Sequence, residues 1–174
     1  MAKPLVAVFL DRDGVLIEDR HYLSDPDGVA LMPGARALIG RLRQAGVKLF
    51  LVTNQSGVAR GMFPIEAVAA VNARIFAELG GGDFSGVAIC PHHPEGSVEQ
   101  YSQTCACRKP APGMIEQFVT DFALDRAGCC MIGDKPSDVE AARAAGMCGF
   151  LFPGGNLDTW FDRVVLQEGG FSLG

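Results

Sequence analysis

The stretch "VFLDRDGVLIED", residues 8–19, decides the fold of this chain. In it an apolar segment runs directly into two carboxylates, Asp11 and Asp13, which are separated by one arginine and followed by Gly14. A strand end needs some polar group to meet solvent, but it does not need two acids two positions apart. Hard oxygen ligands of this kind suit a divalent cation such as magnesium. We therefore expect Asp11 and Asp13 to face a cationic ligand at the end of a buried strand.

Five nearly continuous apolar runs alternate with longer segments whose apolar residues recur every three or four positions. This alternation predicts parallel strands, covered on both faces, that are joined by crossover helices. The predicted strands are 5–10, 47–52, 86–90, 129–133 and 148–152, and the predicted helices are 34–46, 64–80, 112–124 and 137–146. The sequence therefore predicts an α/β fold with a Rossmann-like, doubly wound parallel sheet.

The composition is that of one soluble globular domain, which we expect to span residues 1–174. The formal net charge of -5 argues against broad attraction to nucleic acid or to an anionic membrane. No apolar run is long enough to cross a bilayer, and no cleavable leader is evident, so we expect a cytoplasmic protein. Since no exposed amphipathic seam is evident either, we expect a monomer.

Polar loops that contain glycine follow three of the predicted strands: "DRDG", "TNQSG" and "GDKPSD". Ligands of open parallel sheets bind at the carboxyl ends of the strands, so these loops are expected to meet. Asp134 is the expected third acid of a magnesium site with Asp11 and Asp13. Asp138 could contact the water shell of the metal, or it could cap its helix and orient Lys135.

A cation site next to "TNQSG" and several lysines indicates a phosphate ligand. The hydroxyl of Thr53 and the loop amides that follow it can donate to phosphate oxygens. The ammonium of Lys109 can neutralise charge that develops on a transferring phosphoryl group. Each loop alone is weak evidence, because a strand-end Asp or Thr is more often a cap, but the three loops together favour an active site.

The segment 91–111 has neither helix nor strand character, and a loop of that length needs something to hold it. It begins after Cys90 and contains His92, Cys105 and Cys107, which form the Cys3His set of a closed, structural zinc site. We therefore expect a zinc loop over residues 90–109. His93 could compete with His92, and free surface thiols or a redox pair at Cys105 and Cys107 remain open alternatives.

The other three cysteines lie in apolar surroundings. Cys129, Cys130 and Cys148 are each expected to be buried as small hydrophobic residues. Beyond them, Trp160 and Phe161 are expected to pack against an edge of the sheet.

The motifs "DRDG" followed by Val15, "TNQSG", the lysine of "CRKP" and "GDKPSD" resemble, in this order, the four motifs of the haloacid dehalogenase superfamily of phosphohydrolases. The resemblance extends over about residues 5–152. In its details the sequence resembles the heptose bisphosphate phosphatases, small members of the histidinol-phosphatase-like subgroup that have a zinc-bound loop and no large cap domain. The stretches that carry this resemblance are "FLDRDGV", "TNQSGVARG", "CPHHPEGS", "CACRKPAPGM" and "GDKPSDVEAA".

The resemblance implies a mechanism and a cofactor. Asp11 is implied to attack phosphorus and form an aspartyl phosphate, while Asp13 protonates the leaving oxygen and later accepts a proton from water. Mg²⁺ is implied to be bound by the side chains of Asp11 and Asp134 and by the backbone carbonyl of Asp13.

The resemblance also implies the substrate and its contacts. The implied reaction removes the 7-phosphate of D-glycero-D-manno-heptose 1,7-bisphosphate, a step in the synthesis of nucleotide-activated heptose for lipopolysaccharide. The implied phosphate-binding residues are Thr53, Asn54 and Lys109. The implied substrate-binding residues are Asp19, Arg20, His21, Tyr22, Gln55, Ser56, Arg108 and Lys135.

Three alternatives are weighed against this hypothesis. A histidinol-phosphate phosphatase would share the four motifs and the zinc loop. A receiver domain would accept a phosphoryl group on Asp11 as a signal, but it would not need a second carboxylate at Asp13. A zinc-stapled binding module would have lost catalytic residues, and none of the named positions is altered.

Overall fold

The computed structural model describes residues 2–82 and 84–174. Within these residues the strands are β1 (Lys3–Pro4), β2 (Ala7–Leu10), β3 (Lys48–Asn54), β4 (Gly86–Cys90), β5 (Cys129–Gly133), β6 (Cys148–Leu151) and β7 (Phe171–Ser172). Five of them form a parallel sheet in the order β4-β3-β2-β5-β6. The remaining two, β1 and β7, pair with each other in parallel.

The first four α-helices connect successive strands of the large sheet, and the fifth follows its last strand, β6. They are α1 (Ala35–Gln44), α2 (Ile65–Glu78), α3 (Gly113–Asp121), α4 (Pro136–Ala144) and α5 (Leu157–Phe161), and α5 continues into a π-helical segment, Asp162–Glu168. Three 3-10 turns, Pro26–Gly28, Glu99–Tyr101 and Arg126–Gly128, lie in the connections. Each predicted helix and strand has a counterpart in the structure.

Helices cover both faces of the sheet. Successive residues of β2 alternate between the two faces, as the geometry of a strand requires. Val8 and Leu10 pack on the face covered by α1, α2 and α5, whereas Ala7 and Phe9 pack on the face covered by α3 and α4. This arrangement confirms the predicted doubly wound α/β fold.

The prediction that all five strands are covered on both faces is wrong for the two edge strands. The residues of β2 and β5 are all buried, but Val87 of β4 and Leu151 of β6 are 41% and 50% exposed. An edge strand has a neighbour on one side only, so the flanking helices shield it less. Cys148 lies on β6 and is exposed, which corrects its predicted burial, whereas Cys129 and Cys130 are buried.

The C-terminal segment packs beside the β6 edge. The Trp160 ring lies 5.0 Å from the ring of Phe152, which directly follows β6, and Phe161 is fully buried. Arg41 of α1 forms ion pairs with Asp158 and Asp162, which hold α5 against α1.

No large cap domain is present in the described part of the chain, because the two long irregular segments, between β2 and α1 and between β4 and α3, contain only short 3-10 turns. Among the described helices, none combines the length and the apolar character that a membrane span requires.

Candidate active site

The carboxyl ends of β2, β3 and β5 lie side by side in the sheet, so the polar loops that follow these strands meet. A cavity of about 490 Å³ opens there. Its lining includes eleven of the predicted site residues: Asp11, Asp13, Asp19, His21, Tyr22, Asn54, Gln55, Ser56, Arg108, Lys109 and Lys135. It also includes Asp138, for which the sequence leaves two roles open, and four residues that are not in the predicted set: Arg12, Arg60, Pro110 and Ser137.

Asp11 follows β2 directly, and its backbone N–H donates to the carbonyl of Ile132 in β5. Its side chain is 10% exposed to the cavity. The carboxylate oxygen Oδ1 accepts from the backbone N–H of Arg12 at 2.8 Å and lies 3.0 Å from Nζ of Lys109. Since the side chain is held from two directions, Asp11 has a fixed orientation at the base of the cavity.

Lys109 is buried and its ammonium has three partners. Nζ donates to the carbonyl of Val52 at 2.8 Å and pairs with Asp11 at 3.0 Å and Asp138 at 2.7 Å. Burial alone would lower the Lys109 pKa, but the charges of Asp11 and Asp138 outweigh it and raise that pKa. Lys109 is therefore a permanent cation beside Asp11.

The side chain of Asn54 holds the backbone of Lys109. Its Oδ1 accepts from the Lys109 N–H, and its Nδ2 donates to the Lys109 carbonyl, both at 3.1 Å. The peptide bond between Lys109 and Pro110 is cis. Asn54 thus lies at the cavity, as predicted, but its amide is engaged in placing Lys109.

Thr53 is buried and does not line the cavity. Its hydroxyl accepts from Nε2 of Gln55 at 2.8 Å. The predicted contact of Thr53 with phosphate stays a prediction, while its observed contact fixes the side chain of Gln55.

Gly14 lets the third acid approach. Its φ is +82°, and a Cβ at this position would collide with the Asp134 carboxylate. One oxygen of that carboxylate, Oδ1, is buried and has no hydrogen-bond partner among the described residues. Carboxylate oxygens of Asp11, Asp134 and Asp138 lie within 4.8 Å of one another. A buried acceptor without a donor, next to other acids, fits a divalent cation.

The protonation of Asp134 agrees with that fit. Burial and, secondly, the charge of Asp11 raise the pKa of Asp134 to about 6. A carboxyl group that resists ionisation next to another acid gains from a bound cation, because the cation stabilises the charged form.

Asp138 caps α4. Its Oδ2 accepts from the backbone N–H of Lys135 at 3.0 Å, in a capping box, and its Oδ1 pairs with Lys109. The capping role is therefore observed, while contact of Asp138 with the water shell of a metal stays a prediction.

The loop over residues 19–22 forms one rim of the cavity. Asp19 accepts from the His21 N–H at 2.9 Å and lies 3.8 Å from Nζ of Lys135. His21 and Tyr22 both have positive φ, +50° and +63°, a conformation that costs free energy in residues other than glycine. Arg20 pairs with Glu18 in solvent and does not line the cavity, unlike its three neighbours in the predicted set.

Two arginines, Arg60 and Arg108, give a second part of the cavity rim a positive charge. Arg108 donates to the carbonyl of His92 at 3.3 Å, and Arg60 lies 3.2 Å from Nε2 of His93. Among the described residues, neither arginine has a carboxylate within ion-pair distance. The prediction missed Arg60; the available signal was its place in "TNQSGVARG", seven residues after Thr53.

The four predicted zinc ligands form one cluster beside this rim. The sulfurs of Cys90, Cys105 and Cys107 lie 3.1–3.5 Å apart, and Nδ1 of His92 lies 3.4 Å from Cys107 and 3.7 Å from Cys90. Sulfurs on a tetrahedral zinc with bonds of about 2.3 Å would be about 3.8 Å apart, so the cluster needs only a small expansion. His93 points elsewhere, since its Nδ1 accepts from the Glu95 N–H at 3.1 Å.

The electrostatics of the thiols also fit a cation. Burial and a hydrogen bond with Cys107 raise the pKa of Cys90. Burial opposes ionisation of Cys105, but hydrogen bonds from Cys107 and Cys90 outweigh it and lower that pKa. Three thiols in contact cannot all ionise without a cation among them.

The family model of haloacid dehalogenase-like hydrolases matches residues 6–146. This match covers the cavity and most of the sheet. The chain belongs to the haloacid dehalogenase-like hydrolase family.

Named relatives narrow the activity within the family. A Rhodopseudomonas palustris protein, D-glycero-beta-D-manno-heptose-1,7-bisphosphate 7-phosphatase, is 43% identical over 163 residues, which are 92% of this chain and 91% of that protein. The protein of the same name from Escherichia coli K12 is 40% identical over 147 residues, 83% of this chain and 77% of that protein. Since the relatives of this haloacid dehalogenase-like hydrolase are phosphatases, it is a phosphoric monoester hydrolase.

A solved structure agrees with the sequence comparison. D,D-heptose 1,7-bisphosphate phosphatase from B. bronchiseptica, complexed with magnesium and phosphate, has a TM-score of 0.77 and 35% identity. The superposition covers 97% of this chain and 89% of that one.

Proposed function

We propose that the chain removes the 7-phosphate of D-glycero-β-D-manno-heptose 1,7-bisphosphate. The observation that carries this proposal is the arrangement of Asp11 and Lys109 at the base of a cavity whose rim bears Arg60 and Arg108. The β anomer is proposed because the named relatives are assigned to it. The reaction would supply nucleotide-activated heptose, a lipopolysaccharide precursor, in the cytoplasm, by a monomeric enzyme of one domain.

Asp11 is proposed as the nucleophile. A carboxylate oxygen of Asp11 forms a bond to phosphorus as the bond between phosphorus and the sugar oxygen breaks, which leaves an aspartyl phosphate. Water then attacks phosphorus and releases inorganic phosphate and the Asp11 carboxylate. Asp11 suits this role because it is fixed by Arg12 and faces the cavity.

Asp13 is proposed as the general acid and base. It gives a proton to the sugar oxygen that leaves, and it takes a proton from the water that attacks in the second step. Lys109, whose charge is permanent, offsets the negative charge that develops on the phosphoryl oxygens.

Mg²⁺ would be held by the side chains of Asp11 and Asp134 and by the backbone carbonyl of Asp13. When bound, it supplies positive charge to the phosphoryl group and lowers the repulsion between the acids. The unpartnered oxygen of Asp134 supports this assignment. Zinc is proposed as a structural ion in the cluster of Cys90, His92, Cys105 and Cys107.

A bisphosphate suits the rim better than histidinol phosphate does. Arg60 and Arg108 lack carboxylate partners among the described residues, so they favour a second anionic group. The ammonium of histidinol phosphate would face these two cations. Six further residues line the cavity and are proposed as contacts of the sugar: Asp19, His21, Tyr22, Gln55, Ser56 and Lys135.

Phosphate release with purified protein tests the proposal. The substrates are both anomers of the heptose bisphosphate and histidinol phosphate, each with magnesium and with a chelator. We expect the highest kcat/KM with the β bisphosphate and no turnover without a divalent cation. A preference for histidinol phosphate would reject the substrate, and a phosphoprotein that persists for minutes without turnover would favour a receiver.

The matched variants are Asp11→Asn and Asp121→Asn. Asp11→Asn removes the nucleophile and should lower kcat by about 10³-fold or more, since the covalent route is lost. Asp121 ends α3, away from the cavity lining, so its substitution should leave kcat unchanged. Equal activity of the two variants would reject Asp11 as the nucleophile.

A further inference from the structure

Arg12 has the largest fully buried side chain of the described chain, and the proposed mechanism uses its backbone N–H but gives its guanidinium no role. It lies between the two catalytic acids in sequence, and its guanidinium is directed inward, with 0% side-chain exposure. A buried charge is costly unless its donors are satisfied. The question is therefore what this cation does beside the cavity.

The Arg12 guanidinium binds the Asp13 carboxylate and also donates a hydrogen bond to Asn72. Nε donates to Oδ2 of Asp13 at 2.9 Å, and NH2 lies 3.3 Å from Oδ1 of the same carboxylate. On the far side NH1 donates to Oδ1 of Asn72 in α2 at 3.3 Å. A further contact, from NH2 to Oε1 of Gln55 at 3.1 Å, links it to the loop after β3.

The two oxygens of Asp13 are held unequally. Oδ2 accepts two donors, Nε of Arg12 at 2.9 Å and Nε2 of Gln55 at 3.0 Å. Oδ1 has only the longer contact with Arg12. The carboxylate is thus anchored through Oδ2, and Oδ1 is the oxygen left to exchange a proton with the substrate.

We propose that Arg12 is a positioning residue that fixes the Asp13 carboxylate at the cavity wall, and that Asn72 of α2 fixes Arg12 in turn. The inference rests on the proposed role of Asp13 as general acid. Bidentate pairing gives a carboxylate one plane and one orientation, which a lone ammonium cannot do. Asn72 does not line the cavity, and its side chain accepts a hydrogen bond from Arg12, so we expect it to affect the chemistry through Arg12.

The test compares substrates whose leaving groups differ in their need for a proton. A sugar alkoxide leaves poorly without an acid, whereas 4-nitrophenolate leaves without one. The measured quantity is kcat/KM, which reports the steps up to departure of the leaving group. Loss of a well-placed acid, worth about 10²–10⁴-fold, should therefore affect the heptose bisphosphate far more than 4-nitrophenyl phosphate.

The variants are Arg12→Lys and Asn72→Ala. Arg12→Lys keeps the positive charge but removes the bidentate pairing of the guanidinium with Asp13. We therefore expect kcat/KM to fall about tenfold more for the heptose bisphosphate than for 4-nitrophenyl phosphate. Asn72→Ala should show the same selectivity to a smaller degree. If Arg12→Lys does not fold, Asn72→Ala alone tests the positioning role.

Two controls separate the possible failures. Val71→Ala removes a buried side chain next to Asn72 in α2, so it should destabilise the protein without selectivity between substrates. Asp13→Asn should be strongly selective. The positioning role is rejected if Asp13→Asn is selective but the folded variants Arg12→Lys and Asn72→Ala are not. These two variants are not selective if they lower kcat/KM equally for both substrates or leave both values unchanged. If Asp13→Asn is not selective, the proposed role of Asp13 as general acid is rejected, and the inference about Arg12 is rejected with it.

Discussion

Gly14 shows at the scale of one residue how backbone geometry and site chemistry combine. Its backbone has a φ of +82°, and the Asp134 carboxylate occupies the space where any other residue would place a Cβ. Gly46, which follows α1, has nearly the same φ, +72°, but has open space around it. The two glycines therefore share a conformation and differ only in their surroundings.

This pair makes a matched test of the acid cluster. Alanine at either position should cost about 1–2 kcal/mol for the left-handed backbone. Only Gly14→Ala should also displace Asp134 and raise the magnesium concentration for half-maximal activity, by about tenfold or more. Titration of activity with magnesium, beside thermal melts, measures both effects. An unchanged magnesium requirement in folded Gly14→Ala would argue against Asp134 as a ligand.

Single residues also show what the sequence could and could not predict of the site. Asp11, Asp13 and Asp134 follow directly from motifs at strand ends, because the fold places those ends together. Arg12 and Arg60 do not follow, because the direction of a side chain depends on packing. No sequence pattern indicates that the Arg12 side chain is directed inward to Asn72, which lies 60 positions away in the sequence.

At the scale of one element, the proposed zinc loop, residues 90–109, connects the cluster of Cys90, His92, Cys105 and Cys107 to the cavity. Cys107, Arg108 and Lys109 are consecutive, so a proposed zinc ligand, a cation of the cavity lining and the buried lysine that pairs with Asp11 share one short piece of backbone. Cys90 also pairs with Asn54 in the sheet register, and Asn54 holds Lys109. Disruption of the cluster should therefore displace Lys109 in the candidate active site.

Adjacent histidines test this connection. His92→Ala should abolish stoichiometric zinc, lower Tm by roughly 5 °C or more and lower kcat, since the loop loses its closure and Lys109 its support. His93→Ala should retain zinc, because Nδ1 of His93 is engaged by the Glu95 backbone. Elemental analysis and thermal melts decide the matter. Zinc in His92→Ala but not in His93→Ala would reverse the assignment.

Elements were predictable where their patterns are long. The helices over 34–46 and 64–80 were predicted to within a few residues of α1 and α2, since apolar spacing and terminal glycines mark them. The pairing of β1 with β7 was not predicted, because two-residue strands carry no pattern and these two pair residues that are 168 positions apart in the sequence. Nor were α5 and the π-helical segment predicted, as they lie beyond the motifs.

At the scale of the whole molecule, the sheet separates a stable centre from less protected edges. The central strands are buried, whereas β4 and β6 are partly exposed, and Cys148 is exposed with β6. The sequence showed apolar runs of the same kind in all five strands, because the order of strands in a sheet is a property of the tertiary fold. The acids of the site all project from the central strands or from α4, so cation binding should affect global stability.

The coupling between cation binding and stability has a definite pH dependence. Because burial and Asp11 raise the pKa of Asp134 to about 6, the metal-free folded protein binds more protons than the unfolded chain between about pH 4 and 6. This contribution to stability is present at low pH and is lost as the pH rises through 6. Magnesium should reverse the effect, since the proposed site would bind the ionised carboxylate.

Magnesium at 100 times its Kd should therefore stabilise the protein at pH 7.5 by about 2.7 kcal/mol. At pH 5, one unit below the Asp134 pKa, protons compete and lower the affinity about tenfold, so the same magnesium concentration should stabilise by about 1.4 kcal/mol. Thermal melts at both pH values measure the difference. Asp134→Asn, which cannot ionise, should lose the magnesium effect and make the metal-free protein more stable at pH 7.5. An equal magnesium effect at both pH values would show that Asp134 is not the group that protons and magnesium share.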